Sequence, residues 1–415
     1  MSAESKLKLP AAPARPGEPP NFSFLQLSPA GSAERPAIDT PPAATAGLAN
    51  GLVRVLDDTG LAVGPWNPNL EPLELRQGLR LMMLTRVFDD RMQLMQRQGK
   101  ITFYMKSTGE EAASVAQGMA LRCDDMQFVS YRNQALHFVR GRSPVDLMCQ
   151  CLSNTRDMCK GRQMPVFYHW GAGHIFSISG NLGTQFPQAV GWAMASAIKG
   201  EDRIAVAWIG EGASAEADFH NGLLFAGVYQ APVVLNVVNN QWAISTFQSV
   251  AGGTRGTFAA RGLPYGVAAL RVDGNDFLAT YAATRWAAQR ARAGFGPTLV
   301  ELVTYRASAH STSDDPSKYR PKNDGPAWPL GDPIARLKQH LMRLGEWSSQ
   351  RNEALLKELE QHVLDCWKEA VSYGTLNEGP RPNPDEMFED VFKEMPDNLK
   401  RQQAELNALL QADEG

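Results

Sequence analysis

The side chains of this protein that could do chemistry gather at the ends of apolar runs. Ile204 to Ile209 leads directly into Gly210-Glu211-Gly212-Ala213, and 26 residues separate Gly212 from the pair Asn239-Asn240, which closes the next apolar run. A carboxylate between two glycines, answered by a side-chain amide at the next run's end, suits a hard cation that prefers oxygen ligands. The glycines let a diphosphate approach the backbone. Arg132 follows an apolar stretch that starts at Met126, and its planar guanidinium can grip phosphate through two hydrogen bonds. A surface ion pair is the alternative for that arginine. His310 lies in AHSTSDDPSKYR, just after a further apolar run, with an unperturbed pKa near ~6.5 that suits proton exchange. Tyr104 and Lys106, in FYMKSTGEE, could touch a substrate from a loop edge, although an isolated Tyr is more often half-buried.

These groups need a scaffold that brings strand ends together. Residues 204–240 read as strand, tight glycine turn, amphipathic helix and second buried strand, a βαβ unit. Further strands are expected at 126–130, 269–272 and 298–304, and helices at 73–98, from 110 onward, at 276–293 and twice within 332–372. Such alternation without internal repeat predicts an α/β fold with a doubly wound, mostly parallel sheet. Ligands of such sheets collect beyond the carboxyl ends of the strands, so Glu211 and Asn240 should face one crevice. The loop 161–176, with His169 and His174, is expected to line it, and 177–200 passes from a polar glycine loop into a small-residue helix suited to packing on a copy or a neighbour. Residues 1–70 form a Pro/Ala-rich arm, 71–330 the α/β domain, and 331–415 a helical C-terminal segment that packs on the domain and a partner. Within the arm, Phe22, Phe24, Leu25 and Leu27 stand out. A disordered tail and an extended arm docked on a partner are the two readings.

The bulk composition excludes several classes of function. In 415 residues, 41 basic side chains face 44 acidic ones for a net charge of −3, which argues against nucleic acid or an anionic membrane as partner. No apolar run approaches the ~18 residues of a membrane span. The stretch MSAESKLKLPAAPARPGEPP has no apolar signal core, so a cytoplasmic location is expected. Cys123, Cys149, Cys151, Cys159 and Cys366 lack the CxxC pairs of a zinc site, and are expected to be reduced, structural thiols.

The glycine turn admits two cofactors. A dinucleotide fingerprint would need an acid about 20 residues on, at the next strand's end, where this chain has Asn239 and Asn240. The GxG, 26 residues, NN pattern instead resembles the thiamine diphosphate motif of 2-oxo acid decarboxylating enzymes. The likeness spreads over residues 75–412 through FYMKSTGEEA, KGRQMPV, GEGASAEADFH, NNQWAIST, RVDGNDF, AHSTSDDPSKYR and DVFKEMP. Over this span the chain resembles the alpha subunits of the branched-chain 2-oxo acid dehydrogenase decarboxylating component. The last two stretches, and Glu rather than Asp in the glycine turn, favour that branch over pyruvate or acetoin relatives; a noncatalytic scaffold of the same fold is a more distant alternative.

The resemblance implies a thiamine diphosphate-binding fold, with Mg2+ held by Glu211, Asn240 and the carbonyl of Trp242. It implies cofactor contacts from Tyr131, Arg132, Leu182, Gly210, Gly212 and Ala213, His310 at the reacting centre, and Phe103 and Tyr104 beside the substrate. A potassium ion on Ser179, Thr184 and Gln185 is also implied, although Gly180 and Asn181 replace the Ser-Pro of some relatives. Val238 stands where relatives often carry a phosphate-binding Arg. The implied reaction is decarboxylation of a branched-chain 2-oxo acid, with acyl transfer to a lipoyl group on a separate acyltransferase. A beta subunit, in an α2β2 heterotetramer, would supply the carboxylate that activates the cofactor's aminopyrimidine. Ser311 matches a position phosphorylated in some relatives, but without an import signal no kinase is expected.

Overall fold

The computed structural model describes residues 7–413. An extended arm leads through a 3-10 turn at Pro42–Thr45 into α1 (Ala46–Asn50), then α2 (Pro72–Arg97) and α3 (Glu111–Ala120). The glycine-rich centre follows as β1 (Met126–Phe128), α4 (Gln134–Val139), α5 (Pro144–Leu152), α6 (Gln185–Ile198), β2 (Ala205–Gly210), α7 (Ala217–Tyr229) and β3 (Val233–Asn239). A hairpin of β4 (Trp242–Ala243) and β5 (Thr246–Phe247) precedes β6 (Ala268–Asp273), α8 (Phe277–Arg292) and β7 (Thr298–Val303). Helices α9 (Pro333–Arg343), α10 (Ser349–Ser372) and α11 (Asp397–Asp413) complete the chain.

Helix α2 starts where its sequence offers a reciprocal cap. Glu71 accepts from the backbone of the first turn, Glu74 returns the bond, and Pro72 needs no partner for a missing N–H. Its buried stripe of Leu75, Leu79, Met82, Met83, Met92 and Met95 faces the body of the protein.

The five main strands form one parallel sheet in the order β1-β2-β3-β7-β6. Every residue of β3, β6 and β7 is buried, as expected of a parallel sheet covered on both faces. Alternate residues feed two cores. Val206 and Trp208 join the side covered by α2, α3 and α8, while Ala205, Ala207 and Ile209 join the side covered by α6 and α7. Polar groups inside the first core are paired: Gln117 Nε2 donates to Asn236 Oδ1 at 2.6 Å, Asn236 Nδ2 to the Ala207 carbonyl at 3.0 Å, and the Trp208 indole to Gln117.

Strand order decides where the polar turns meet. Gly210 pairs in register with Val238 and Asn239 with Val303, so the segments after β2, β3 and β7 leave the sheet side by side. The loop after β1 lies on the other flank of β2.

The arm is ordered along its own domain, unlike a disordered tail. Its proline-rich backbone leaves carbonyls free, and buried side chains use them. Trp66 donates to the Glu34 carbonyl at 3.0 Å, Trp286 to Pro36 at 2.9 Å, and Arg290 to Ile38 and Thr40 at 2.7 Å each. At the other end, α9 and α10 pack on α2, and α10 also on α5. Helix α11 begins only at Asp397, with Leu399 and Leu406 half-buried and Val391 exposed ahead of it. Among the described residues, no helix is long and apolar enough to cross a membrane.

One glycine links this framework to the chemistry. Gly109 has φ +98°, and a Cβ there would sit 2.1 Å from the Tyr305 carbonyl oxygen. Gly109→Ala should lower unfolding free energy by about 2 kcal/mol or more, through both the φ penalty and the clash. Denaturant titration checks this, and an unchanged midpoint would contradict it.

Candidate active site

A cleft of about 250 Å3 opens at the carboxyl ends of β1, β2 and β3. Its wall includes Tyr131, Arg132, Ser179, Leu182, Gln185, Gly210, Glu211, Gly212, Ala213, Asn240, Trp242 and His310. Chain topology thus brings together residues that are up to 200 positions apart, from Glu110 to His310.

Glu211 sits in the turn after β2, 1% exposed, and its Oε1 has no hydrogen-bond partner. Burial pushes this carboxyl up to about 7, with nearby Glu110 adding to the effect and Arg306 opposing it. A buried oxygen left open in this way fits a cation ligand. The two flanking glycines do different things. A Cβ on Gly210 would meet nothing within 4 Å, whereas one on Gly212 would lie 2.4 Å from the Ala243 Cβ. Gly210 therefore leaves room beside the carboxylate, and Gly212 is needed for the hairpin to pack.

The turn after β3 is tightly determined. Asn240 donates its amide to Glu110 Oε1 at 2.8 Å, and its oxygen accepts from the Trp242 N–H at 3.2 Å. Gln241 and Ile244 adopt φ of +78° and +54°, uncommon for side chains of their size. The Gln241 side chain holds its own strained backbone by donating to the carbonyls of Asn239 at 3.0 Å and Thr304 at 3.1 Å. The Trp242 carbonyl accepts from Arg306 Nη1 at 2.7 Å, and its second lone pair is left for a ligand.

Two guanidinium groups frame His310. Arg132 Nη2 lies 3.3 Å and Arg306 Nη1 3.4 Å from its Nδ1. Both are obligate donors, so Nδ1 accepts and the ring proton belongs on Nε2. Burial, then the charges of Arg132 and Arg306, push the histidine down to about 3, so the expected value near neutrality does not hold here. Asp314 Oδ2 fixes the loop by accepting from the His310 N–H at 2.7 Å and the Tyr319 hydroxyl at 2.6 Å. Arg132 also donates to the Lys106 carbonyl at 2.6 Å, and its guanidinium stands 5.3 Å from the Tyr131 ring centroid.

Residues 79–378 match the dehydrogenase E1 component family, and residues 3–43 match the 2-oxoisovalerate dehydrogenase E1 alpha subunit N-terminal family. The chain belongs to the dehydrogenase E1 component family. It is 58% identical to the 2-oxoisovalerate dehydrogenase subunit alpha of Pseudomonas aeruginosa, over 97% of this chain and 98% of that one. The mitochondrial 2-oxoisovalerate dehydrogenase subunit alpha of Mus musculus is 40% identical over 87% of this chain and 80% of its own. The corresponding subunit alpha 1 of Arabidopsis thaliana is 36% identical over 86% and 75%.

In this E1 chain some expected residues lie away from the cleft. Tyr104 is fully buried, and its hydroxyl donates to Asp89 Oδ1 at 2.7 Å. Asp89, itself buried in α2, also accepts from Ser107 and Gln134, so the tyrosine hydroxyl is engaged in a polar core and does not line the cleft. Phe103 packs half-buried in the same region. What the segment does contribute is an anchor for the histidine loop, because Tyr104 N–H donates to Thr312 Oγ1 and Thr312 N–H to the Tyr104 carbonyl, each at 3.0 Å. None of residues 161–176 lines the cleft; the nearest approach is the Phe167 ring, stacked on Tyr131 at 6.2 Å. His169 and His174 therefore stand outside it. Gln185 Oε1 is buried and unpartnered, and the Thr184 hydroxyl donates to the Asn181 carbonyl at 2.9 Å while its oxygen lone pairs stay available. All five cysteines are free, and burial pushes the Cys149 and Cys151 thiols up to about 11 and about 12.

Glu110 and Arg306 are site residues that the sequence reading passed over. Glu110 is 4% exposed, orients the Asn240 amide and lies 3.5 Å from Arg132 Nε. Arg306, fully buried, follows β7 much as Arg132 follows β1. Like Arg132, it is an arginine a few residues past a strand end.

A depressed histidine has a definite pH signature. Because the folded value of about 3 lies below the unfolded ~6.5, neutral His310 contributes stability above ~6.5 that is lost as pH falls toward 3. NMR of the labelled histidines should show no His310 titration between pH 8 and 5. A midpoint near 6.5 would contradict the arginine environment.

Proposed function

We propose that this E1 chain is the alpha subunit of an enzyme that decarboxylates branched-chain 2-oxo acids and passes the acyl group to a lipoyl domain of an acyltransferase. One observation carries the reading: Glu211 presents an unpaired buried oxygen beside Asn240 and open space at Gly210, in a chain 58% identical to a 2-oxoisovalerate dehydrogenase alpha subunit. Mg2+ would be held by Glu211, Asn240 and the Trp242 carbonyl. The diphosphate of thiamine diphosphate would lie at Gly210 and Ala213, facing Tyr131 and Arg132, with Leu182 under its bend. A potassium ion would be held by Ser179, Thr184 and Gln185, a reading supported by the open Gln185 oxygen.

When bound, thiamine diphosphate supplies the electron sink that decarboxylation requires. The chain's own residues position and exchange protons. Arg132 and Arg306 hold His310 neutral, so its Nε2–H can hydrogen-bond a substrate oxygen and can stabilise, as a hydrogen-bond donor, the thiolate formed when the lipoyl disulfide opens.

The beta subunit would close the open side of the cleft. Leu182 and Ile244, both in its wall, are each 54% exposed, a cost that a partner surface would remove. Leu224, Phe225, Val228 and Tyr229 form a second exposed apolar face on α7, which supports an α2β2 assembly with more than one contact. The bacterial origin of the 58% identical relative supports a cytoplasmic location.

Co-expression with the beta subunit allows two tests. Initial rates should give kcat/KM for 3-methyl-2-oxobutanoate at least about tenfold above that for pyruvate, and the reverse order would identify a pyruvate-type enzyme. His310→Ala should lower lipoyl acylation by about 10²-fold or more while cofactor affinity stays within about threefold of wild type. Unchanged acylation would remove His310 from the chemistry.

A further inference from the structure

The hairpin that carries the Trp242 carbonyl cannot hold its shape alone. It has two residues per strand, paired as Trp242 with Phe247 and Ala243 with Thr246, and positive φ at Gln241 and Ile244. Short isolated ribbons are at best marginal in water, so its conformation must come from packing. On the cleft side the space is open. Arg306 holds the Trp242 and Ile244 carbonyls at 2.7 Å each and Tyr319 packs on Trp242, and the N-terminal arm adds packing behind Phe247 and Tyr305.

Two aromatic paths run from the arm to Trp242. The Phe24 ring meets Phe247 at 5.2 Å and 80°, and Phe247 meets Trp242 at 5.2 Å and 63°. Phe22 stands edge-on to Tyr305 at 5.9 Å and to Trp328 at 5.2 Å. The Tyr305 hydroxyl in turn accepts from the Trp242 indole at 3.2 Å. These offset and edge geometries are the favourable ones for aromatic pairs. A further bond from Ser249 Oγ to the Ala11 carbonyl, at 3.1 Å, ties the arm to the segment leaving the hairpin. Asn21 and Ser23 face outward while Phe22 and Phe24 turn in, across a turn closed by the Leu25 N–H donating to the Phe22 carbonyl at 2.9 Å.

We infer that Phe22 and Phe24 are positioning residues for the cation site, clamping the hairpin from behind so that the Trp242 carbonyl faces the cleft. The inference rests on the reading that Glu211, Asn240 and Trp242 hold Mg2+. Neither ring lines the cleft, so their effect passes through Phe247 and Tyr305. Because arm docking and cation binding favour one hairpin conformation, each strengthens the other by the same factor.

The test uses the full chain assembled with its beta subunit, titrated with Mg2+ at fixed thiamine diphosphate and followed by tryptophan fluorescence. Phe24→Ala should raise the half-saturating Mg2+ concentration by about tenfold, the scale of one lost aromatic contact, with turnover recovered at excess Mg2+. Phe24→Leu should restore most of the affinity, and Leu27→Ala, at a position 41% exposed, should match wild type. If wild-type cofactor binding itself ignores Mg2+, the metal reading fails. If wild type requires Mg2+ and Phe24→Ala titrates identically, the arm has no such role. A wild-type measurement covers a variant that fails to fold: Mg2+ with thiamine diphosphate should slow proteolysis within residues 12–30 several-fold, and equal cleavage rates with and without them would overturn the inference.

Discussion

A carboxylate buried with one oxygen unpaired is the constraint around which this protein is built. Leaving a buried polar group unsatisfied costs about 1–3 kcal/mol, and Glu211 bears that cost at 1% exposure. Its surroundings reduce the penalty without removing it. Arg306 offers a favourable charge, while Glu110 adds an unfavourable one. A divalent cation would complete the balance, and the geometry on the facing strand is arranged accordingly. Glu110 turns the Asn240 amide nitrogen toward itself, and a strained turn brings the Trp242 carbonyl around beside it.

The same economy of charge explains the histidine. Arg132 and Arg306 each serve a backbone carbonyl and His310 Nδ1, so two fixed cations stabilise the loop and suppress protonation of the ring together. Neither arginine is freely mobile. The arrangement is pre-organised before any ligand enters, which spares the cost of ordering it at the moment of reaction. The parallel sheet makes this possible by placing four polar segments at neighbouring strand ends.

Much of this was legible in the residues alone. Ile204–Ile209 is apolar throughout and Val233–Val238 is apolar but for Asn236 because their strands are covered on both faces, and that pattern predicts buried parallel strands. Gly210, Glu211 and Asn240 were readable because strand ends in such sheets converge. The burial of Tyr104 was not legible because its partner Asp89 sits in a different element, and nothing local marks that acid as buried. Glu110 was hidden by Glu111 beside it, where two acids at a helix start look like ordinary dipole compensation. The arm was ambiguous for a physical reason: its prolines exclude regular structure but leave carbonyls available, and only the positions of Trp66, Trp286 and Arg290 in space reveal who accepts the offer.

The central claim is that Glu211 binds the cation which holds the cofactor's diphosphate. It is tested most directly by calorimetric titration of thiamine diphosphate into the two-subunit assembly carrying Glu211→Gln, with and without Mg2+. The account predicts Mg2+-dependent binding in wild type and, in the variant, affinity weakened by about 10²-fold or more and insensitive to Mg2+. Wild-type affinity with full Mg2+ dependence in Glu211→Gln would contradict it.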